Sequence, residues 1–465
     1  MIKAIKISTV IITAFNLNAC ATFDFDIGPS GEASISKEAN AIDAPASWVF
    51  GSHTDGEIAA DWASVLIDPR LDELINQALV NNPSLRASAE NIARAEALLN
   101  QSRSNLLPSL SADFGPRLGG ALEGNNLSDS YSGGLSASWE ADLWGGIQAG
   151  VLASGFDLDS TRATFESARQ ALIAAVARSY IIAIESNLQM DLSEQTLRAQ
   201  EETLRIVNVR YELGAASRRE LVLAESDVAG ARDNLVVAKA AKTDAIQALQ
   251  ILLGDYPSGE LVIAPDFPKF VETLGAGTPE TLLQRRPDIL SAENDVLSAF
   301  QSTRAIKSDT WPRLSLSSGL DTASGNIVNI LDPVSIAYSL GGRLTDILFD
   351  GGLSEARIDA ANASQRQAIA NYGQAALDAY FDVESALNTI HILGERRVFV
   401  QQSADAARET LALAEIQYKE GAIDLLDVLT FRQRSFQADR TQITLQRQII
   451  EARVALYLAL GGAYR

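Results

Sequence analysis

The sequence predicts an internally duplicated α+β membrane protein: a trimeric 12-stranded β-barrel (four strands per chain) continued by a long α-helical coiled-coil barrel. Three observations predict it. The first is tandem repetition, the feature to seek before any motif. Pro83 recurs at Pro287 and Pro108 at Pro312, both at an offset of 204 residues. Gly145-Gly146 recurs at Gly351-Gly352, Tyr211-Glu212-Leu213-Gly214-Ala215 at Tyr418-Lys419-Glu420-Gly421-Ala422, and Leu252-Leu253-Gly254 at Ala459-Leu460-Gly461, at offsets of 206, 207 and 207. The second is period-two alternation of apolar with small or polar residues in two places. The third is a pair of proline-free runs long enough for helices of about 67 residues, ~100 Å each at 1.5 Å per residue.

In chain order, residues 1–19 read as a lipoprotein signal peptide. Lys3 and Lys6 precede an apolar stretch from Ile7 to Leu17 that is shorter than the roughly 20 residues a membrane span requires. It ends in Leu17-Asn18-Ala19-Cys20, similar to a bacterial lipobox, with Asn18 where a small or β-branched residue is usual. Cys20, the sole cysteine, is the expected lipid attachment site. Ala21 follows it, where the resemblance to lipoproteins implies that Asp would favour inner-membrane retention. Residues 20–60 form a lipidated N-terminal segment, 61–260 the first repeat and 261–465 the second.

Each repeat opens with a helix, Leu71 to about Asn105 and Leu282 to about Asp309, with a proline near its beginning. Hairpins at about 108–145 and 312–350 follow. Leu110, Ala112 and Phe114, then Leu135, Ala137, Trp139, Ala141 and Leu143, alternate with small or polar residues in the first. Leu314, Leu316 and Leu320, then Ile336, Tyr338, Leu340 and Leu344, do so in the second. Such alternation also marks transmembrane barrel strands. Gly119–Ser130 and Asp321–Asn329 read as loops from their Gly, Asn, Ser and Asp content. The long helices run from Ile147 to Leu213 and from Leu353 to Glu420. They end at tips 214–217 and 421–424, and further helices return from Ala215 to Leu253 and from Ala422 to Leu460. Leu429, Phe436, Ile443, Ile450 and Tyr457 recur every seven residues, which implies a left-handed supercoil. The two shorter helices together match one long helix, so they suit end-to-end stacking beside it. Four strands leave open edges in lipid, which excludes a monomeric barrel and points to several chains sharing one.

Composition narrows the function. Asp and Glu total 59 against 38 Lys and Arg, a net charge of -21, so binding to nucleic acid is excluded without a basic patch, and none is present. One cysteine and two histidines build no zinc centre and no intramolecular disulfide. His53 and His391 lie in unrelated contexts and no phosphate-binding Gly-Lys-Ser/Thr loop occurs, so no enzyme, cofactor or metal is expected.

The mature chain resembles the TolC/OprM-type outer membrane factor family, in its NodT-like lipoprotein branch. The residues that carry the resemblance are Trp48, Asp61-Trp62, Asp68-Pro69, Leu74 to Leu79 with Pro83, Arg285-Arg286-Pro287-Asp288-Ile289, Tyr418-Lys419-Glu420-Gly421 with Leu426-Asp427-Val428-Leu429, and Tyr457 to Gly462. It implies a homotrimer lipid-anchored in the cell outer membrane, its helical tube in the periplasm. Its role would be the passive exit channel of a tripartite efflux system for small toxic compounds. Its partners would be a periplasmic adaptor and an inner-membrane pump of the resistance-nodulation-division type. Two alternatives are the duct of a type I protein secretion system and a non-channel structural lipoprotein spacer; the paired amphipathic hairpins count against the spacer.

Function then falls at the tips. Gly214, Ala215, Ala216 and Ser217, with Gly421, Ala422, Ile423 and Asp424, are tight turns whose glycines supply helix-end geometry. The resemblance implies that they also meet the adaptor. Glu220 and Asp427 lie six residues after the tip glycines; such acids either favour the helix dipole or ring the lumen as part of a periplasmic gate. Thr430 and Arg432 complete the gate set, at positions where the family often has an acid followed by Ala-Gln-Arg. Trp139, Trp144, Trp311 and Tyr338 lie near strand ends, where interface anchoring and ordinary strand-end placement are both open.

Overall fold

The computed structural model describes residues 30–50, 66–120, 127–270, 275–330, 332 and 335–462. The signal peptide and Cys20 lie outside these residues. The first element is an arm absent from the sequence reading. Ser30 caps α1 (Gly31–Ala41) by accepting from the Ala33 amide at 3.2 Å. α1 packs where Ile35 is buried among α7 (Pro287–Ser308) and α8 (Leu353–Lys419). Further on, the buried Trp48 indole donates to the carbonyls of Ala276 and Gly277 at 3.1 and 3.0 Å. The amides of Val49 and Phe50 donate to the Glu384 carboxylate on α8. The arm therefore clasps the inter-repeat linker and α8 together. Trp48→Ala is expected to raise the rate of limited proteolysis in the arm at least about tenfold, because a loss of only ~1.4 kcal/mol multiplies the opened population by ten.

A short strand pair, β1 (Leu66–Ile67) with β4 (Lys269–Phe270), also ties the start of the first repeat to the linker. The helix expected from Leu71 to about Asn105 is in fact two, α2 (Pro69–Asn81) and α3 (Pro83–Ser104). Asn82 makes the break. Its side chain caps α3 by accepting from Leu85 N at 3.0 Å, and its amide donates to Leu252 O at 2.9 Å. In the second repeat α6 (Pro279–Leu282) is likewise separate from α7.

The long helices are α4 (Gly146–Glu212) and α8, each of 67 residues. The returning helices are α5 (Arg218–Leu253) and α9 (Leu425–Ala459). α3 and α5 meet end to end at Asn82 and Leu252, and α7 and α9 meet where Arg286 reaches the carbonyl of Ala459. Across the protomer α3 and α5 pack on α4, α4 packs on α7 and α9, and these pack on α8. The main core lies midway along α4, where Ile173, Val176, Ala177, Ile181 and Ile184 meet Leu74, Ile75, Leu249 and Val454. That segment of α4 is long and apolar enough to cross a membrane, yet half of it is buried inside the protein. At its centre Tyr180 donates to Asp68, the cap of α2, at 3.0 Å; burial first, and then the Asp68 charge, push its pKa well up.

One antiparallel sheet runs β2 (Ser109–Gly120), β3 (Leu127–Ala141), β5 (Arg313–Ser324), β6 (Ile336–Thr345). The β3–β5 pairing, with Leu135 opposite Leu320 and Trp139 opposite Leu316, joins the repeats. Two expected loops are corrected in part. Residues 119–120, 127–130 and 321–324 are strand, because in a sheet with one polar face Ser, Gly and Asp alternate with apolar residues and do not signal a turn.

Candidate functional site

At each tip the chain reverses in a few residues for the same local reason. Gly214 and Gly421 take φ of 71° and 78°, the left-handed region open to glycine. The Ala215 amide then reaches back to Arg210 O at 2.7 Å, and the Ala422 amide to Gln417 O at 2.9 Å, closing carbonyls at the helix end. Ser217 begins α5 with a capping box: Glu220 N donates to its hydroxyl at 3.3 Å and its own amide donates to Glu220 Oε2 at 2.6 Å. Those hydrogen bonds hold the Glu220 carboxyl below its usual range. Asp424 caps α9 by accepting from Asp427 N at 3.1 Å. Gly214, Ala215, Ser217, Gly421, Ala422 and Asp424 are exposed, while Ala216 and Ile423 are half-buried. A Cβ on either glycine would meet nothing within 4 Å, so each turn presents open backbone.

Above the turns the two helical hairpins are joined. Val207, Leu221 and Ala224 of the first pack with Leu425 and Leu429 of the second. The Arg210 guanidinium sits 4.9 Å from the Tyr418 ring centroid, a cation–π contact between repeats. Arg432 carries the strongest link. Its largely buried guanidinium donates to Thr203 Oγ1 at 2.6 Å, Ala199 O at 3.1 Å and Glu415 Oε1 at 2.6 Å, so one side chain of α9 holds α4 and α8. Nearby Asp227 on α5 has a raised pKa, because burial outweighs the attraction of Arg432. Of the four residues expected at the gate, Glu220 is engaged in its cap and Arg432 in the inter-helix link. Thr430 bonds back to Leu426 O, and both it and Asp427 are exposed. The sequence reading missed Thr203, Arg210, Glu415 and Asp227. Only Arg210 had a signal, its place beside Tyr211 in the repeated tip.

The sheet at the other end has two unlike faces. Leu110, Phe114, Leu135, Trp139, Leu320, Tyr338, Leu340 and Leu344 share one by register, and all are exposed; Tyr338 and Leu340 are 86% and 85% exposed. The opposite face pairs Ser109 with Ser138 and Ser111 with Ser136, hydroxyl to hydroxyl at 2.8 Å in both cases. At the strand–helix junction Trp144 packs against Trp311 at 4.8 Å and donates to Pro312 O, and Trp139 donates to Leu106 O. Leu348 and Phe349, 92% and 89% exposed, extend the apolar rim between β6 and α8.

The sides of the protomer are open in a matching way. The sheet ends in β2 on one side and β6 on the other. α5 leaves Val222, Val236, Val237 and Ile251 exposed, and α8 leaves Leu377, Phe381, Ile392 and Phe399 exposed, in each case on the side away from its packed face. Among the described residues no group of three His, Cys, Asp or Glu is placed to hold a metal ion.

A family model described as outer membrane efflux protein matches residues 74–255 and 278–462. The pyoverdine export outer membrane protein OpmQ of Pseudomonas aeruginosa is 30% identical over 439 residues, covering 91% of this chain and 92% of that protein. The cation efflux system protein CusC of Escherichia coli K12 is 27% identical over 409 residues, covering 87% and 89%. The crystal structure of the open state of the Neisseria gonorrhoeae MtrE outer membrane channel superposes with a TM-score of 0.82 at 29% identity, covering 90% of this chain and 96% of that one.

Proposed function

The chain belongs to the outer membrane efflux protein family, and from that premise we propose that it is the gated exit duct of a tripartite efflux system. Three copies join head to tail, β6 of one to β2 of the next and α8 to α5, giving a twelve-stranded barrel above a twelve-helix-wide tube. The observation that carries this is the pair of open sides: a sheet edge and an apolar helix stripe on each flank. The exposed apolar sheet face lies against outer membrane lipid and the serine face lines the passage. Cys20 carries the lipid anchor. The tube hangs in the periplasm, where Gly214 to Ser217 and Gly421 to Asp424 receive the adaptor of a resistance-nodulation-division pump that expels small toxic compounds. Glu220, Asp427, Thr430 and Arg432 form the gate region, with Arg432 as the latch between helical hairpins.

Adaptor docking and conduction are separable. Ala215→Trp with Ala422→Trp fills the exposed tips without touching a packed side chain. The doubly substituted protein is expected to remain a trimer with unchanged single-channel conductance in planar bilayers. In cells it should give the drug and metal susceptibility of the deletion strain. Full resistance in that strain would remove the tips from the docking surface; a wild-type protein without conductance would remove the duct.

A further inference from the structure

The duplication extends to which helices touch. α4 and α8 start at Gly146 and Leu353, α5 and α9 at Arg218 and Leu425, so the two helical hairpins correspond residue for residue at an offset of 207. α4 packs on α5 of its own hairpin and on α9 of the other. Its counterpart α8 packs on α9, and the equivalent second neighbour is an α5. The chain's own α5 lies against α4, so a second copy must supply it. Shifting the α4–α9 contacts by 207 gives the register of that boundary. Thr444 on Glu185, 2.7 Å apart, becomes Val237 on Ile392, two apolar side chains that one chain leaves exposed. Gln189 on the Arg440 carbonyl becomes Arg396 beside Asp233, exposed groups of opposite charge.

The links that hold the seam within a chain have no counterpart at that boundary. The position of Arg432 is taken by Glu225, which is exposed. The acceptors are repeated: Ala199 and Thr203 correspond to Ala406 and Thr410, and each threonine hydroxyl donates to that alanine carbonyl, at 2.9 and 2.7 Å. A carboxylate has no proton to offer either group. The ion pair of Arg447 with Glu185 corresponds to Ala240 and Ile392. Leu425, fully buried with Val207 and Leu221, corresponds to the exposed Arg218. Two guanidinium links and a buried leucine therefore distinguish the seam within a chain from the seam between chains.

We propose that the hairpin seams of the assembled tube alternate, latched within chains and unlatched between them, and that the periplasmic end starts to open at the chain boundaries. Each chain's two hairpins then move as one leaf. This rests on the trimeric duct proposed above and names the seam at which its gate parts. One hydrogen bond to a charged group shifts an opening equilibrium by about tenfold or more, so the seam without guanidinium links separates first. Loss of Arg432 frees a further seam that stays shut in the wild type.

The test uses the purified full-length protein in planar bilayers and a short bismaleimide. Arg396→Cys with Val237→Cys, the boundary counterparts of Gln189 and Thr444, should cross-link between chains, giving a trimer band in denaturing gels, and opening should be lost. Gln189→Cys with Thr444→Cys should cross-link within chains and open like the wild type; the single substitutions control for Cys20. Glu225→Arg, which sets a guanidinium beside Ala406 and Thr410 of the next chain, should lower the open probability about tenfold. Adding Thr410→Val should recover part of the opening, and Glu225→Gln should change it little. Four results would each overturn the proposal: no cross-link between chains, free opening with that cross-link in place, loss of opening with the cross-link within chains, or equal open probabilities of Glu225→Arg and Glu225→Gln. A wild-type protein that is not a trimer, or does not conduct, would remove the duct instead.

Discussion

Arg286→Ala is expected to destabilise the folded chain by about 3 kcal/mol and to lower the apparent melting temperature of the purified protein by several degrees. The guanidinium is only 10% exposed and makes hydrogen bonds to the Ala459 carbonyl, to both oxygens of Asp288 and to Asp382. It thus holds the start of α7, the end of α9 and the middle of α8 at one point. Burial works against its charge, but the hydrogen bonds and charges of the two aspartates outweigh this and raise its pKa above the ordinary arginine value. Truncation leaves a buried carbonyl unpaired and two carboxylates facing each other. Because Asp288 and Asp382 are themselves 41% and 48% exposed, solvent screens part of that repulsion, so the estimate sits at the low end for a broken buried pair. Arg286→Lys should recover less than half of the loss, since an ammonium lacks the planar fork that spans Asp288. Arg285→Ala, one residue away and exposed, should change the melting temperature little. Equal effects at 285 and 286 in thermal unfolding of the purified protein would show that the node contributes nothing.

The same node illustrates what sequence does and does not display. Arg286 stood in a recognisable run, Arg285 to Ile289, but its partners at 382 and 459 are tertiary, and no local pattern names them. The long helices were legible because proline is absent, heptads persist, and their starts follow Gly145 and Gly352, whose positive φ sets the entry. The break at Asn82 was not, since the residue that interrupts the helix does so by bonding Leu252, 170 positions away. The strand ends at 119–120, 127–130 and 321–324 were hidden because a sheet face of Ser, Gly and Asp has the composition of a loop. The arm escaped notice because α1 has no apolar periodicity beyond Ile35 and is held by α7 and α8, not by its own sequence. The tips were legible as repeated Tyr-x-x-Gly-Ala, whereas the latch partners Thr203 and Glu415 are unremarkable residues of long polar helices until Arg432 is placed between them.

The Arg432 link supports the second large effect. For the gated duct proposed above, Arg432→Ala is expected to raise the open probability of the reconstituted protein at least about tenfold, because three charge-assisted hydrogen bonds between α9 and its neighbours α4 and α8 are lost together, and one such bond alone contributes on that order. Removing Arg432 also removes the charge that partly offsets the raised pKa of Asp227, so that pKa should climb further. The sign of the pH dependence follows. A carboxyl with a raised pKa in the folded state is protonated at no cost below the ordinary aspartate value. Its ionisation then becomes progressively unfavourable as pH rises through the interval up to the raised value, and the penalty is complete above it. The Arg432→Ala channel should therefore be most open at neutral pH and close again as pH falls through that interval, whereas the wild type should vary less. Arg432→Ala with Asp227→Asn should lose this pH dependence while remaining more open than wild type. Asp427→Ala, which removes an exposed carboxylate whose side chain joins no neighbouring helix, should alter ion selectivity more than open probability. An unchanged open probability in Arg432→Ala at neutral pH would place the closure elsewhere. An increase that does not respond to pH would retain the latch and exclude Asp227 as its titrating group.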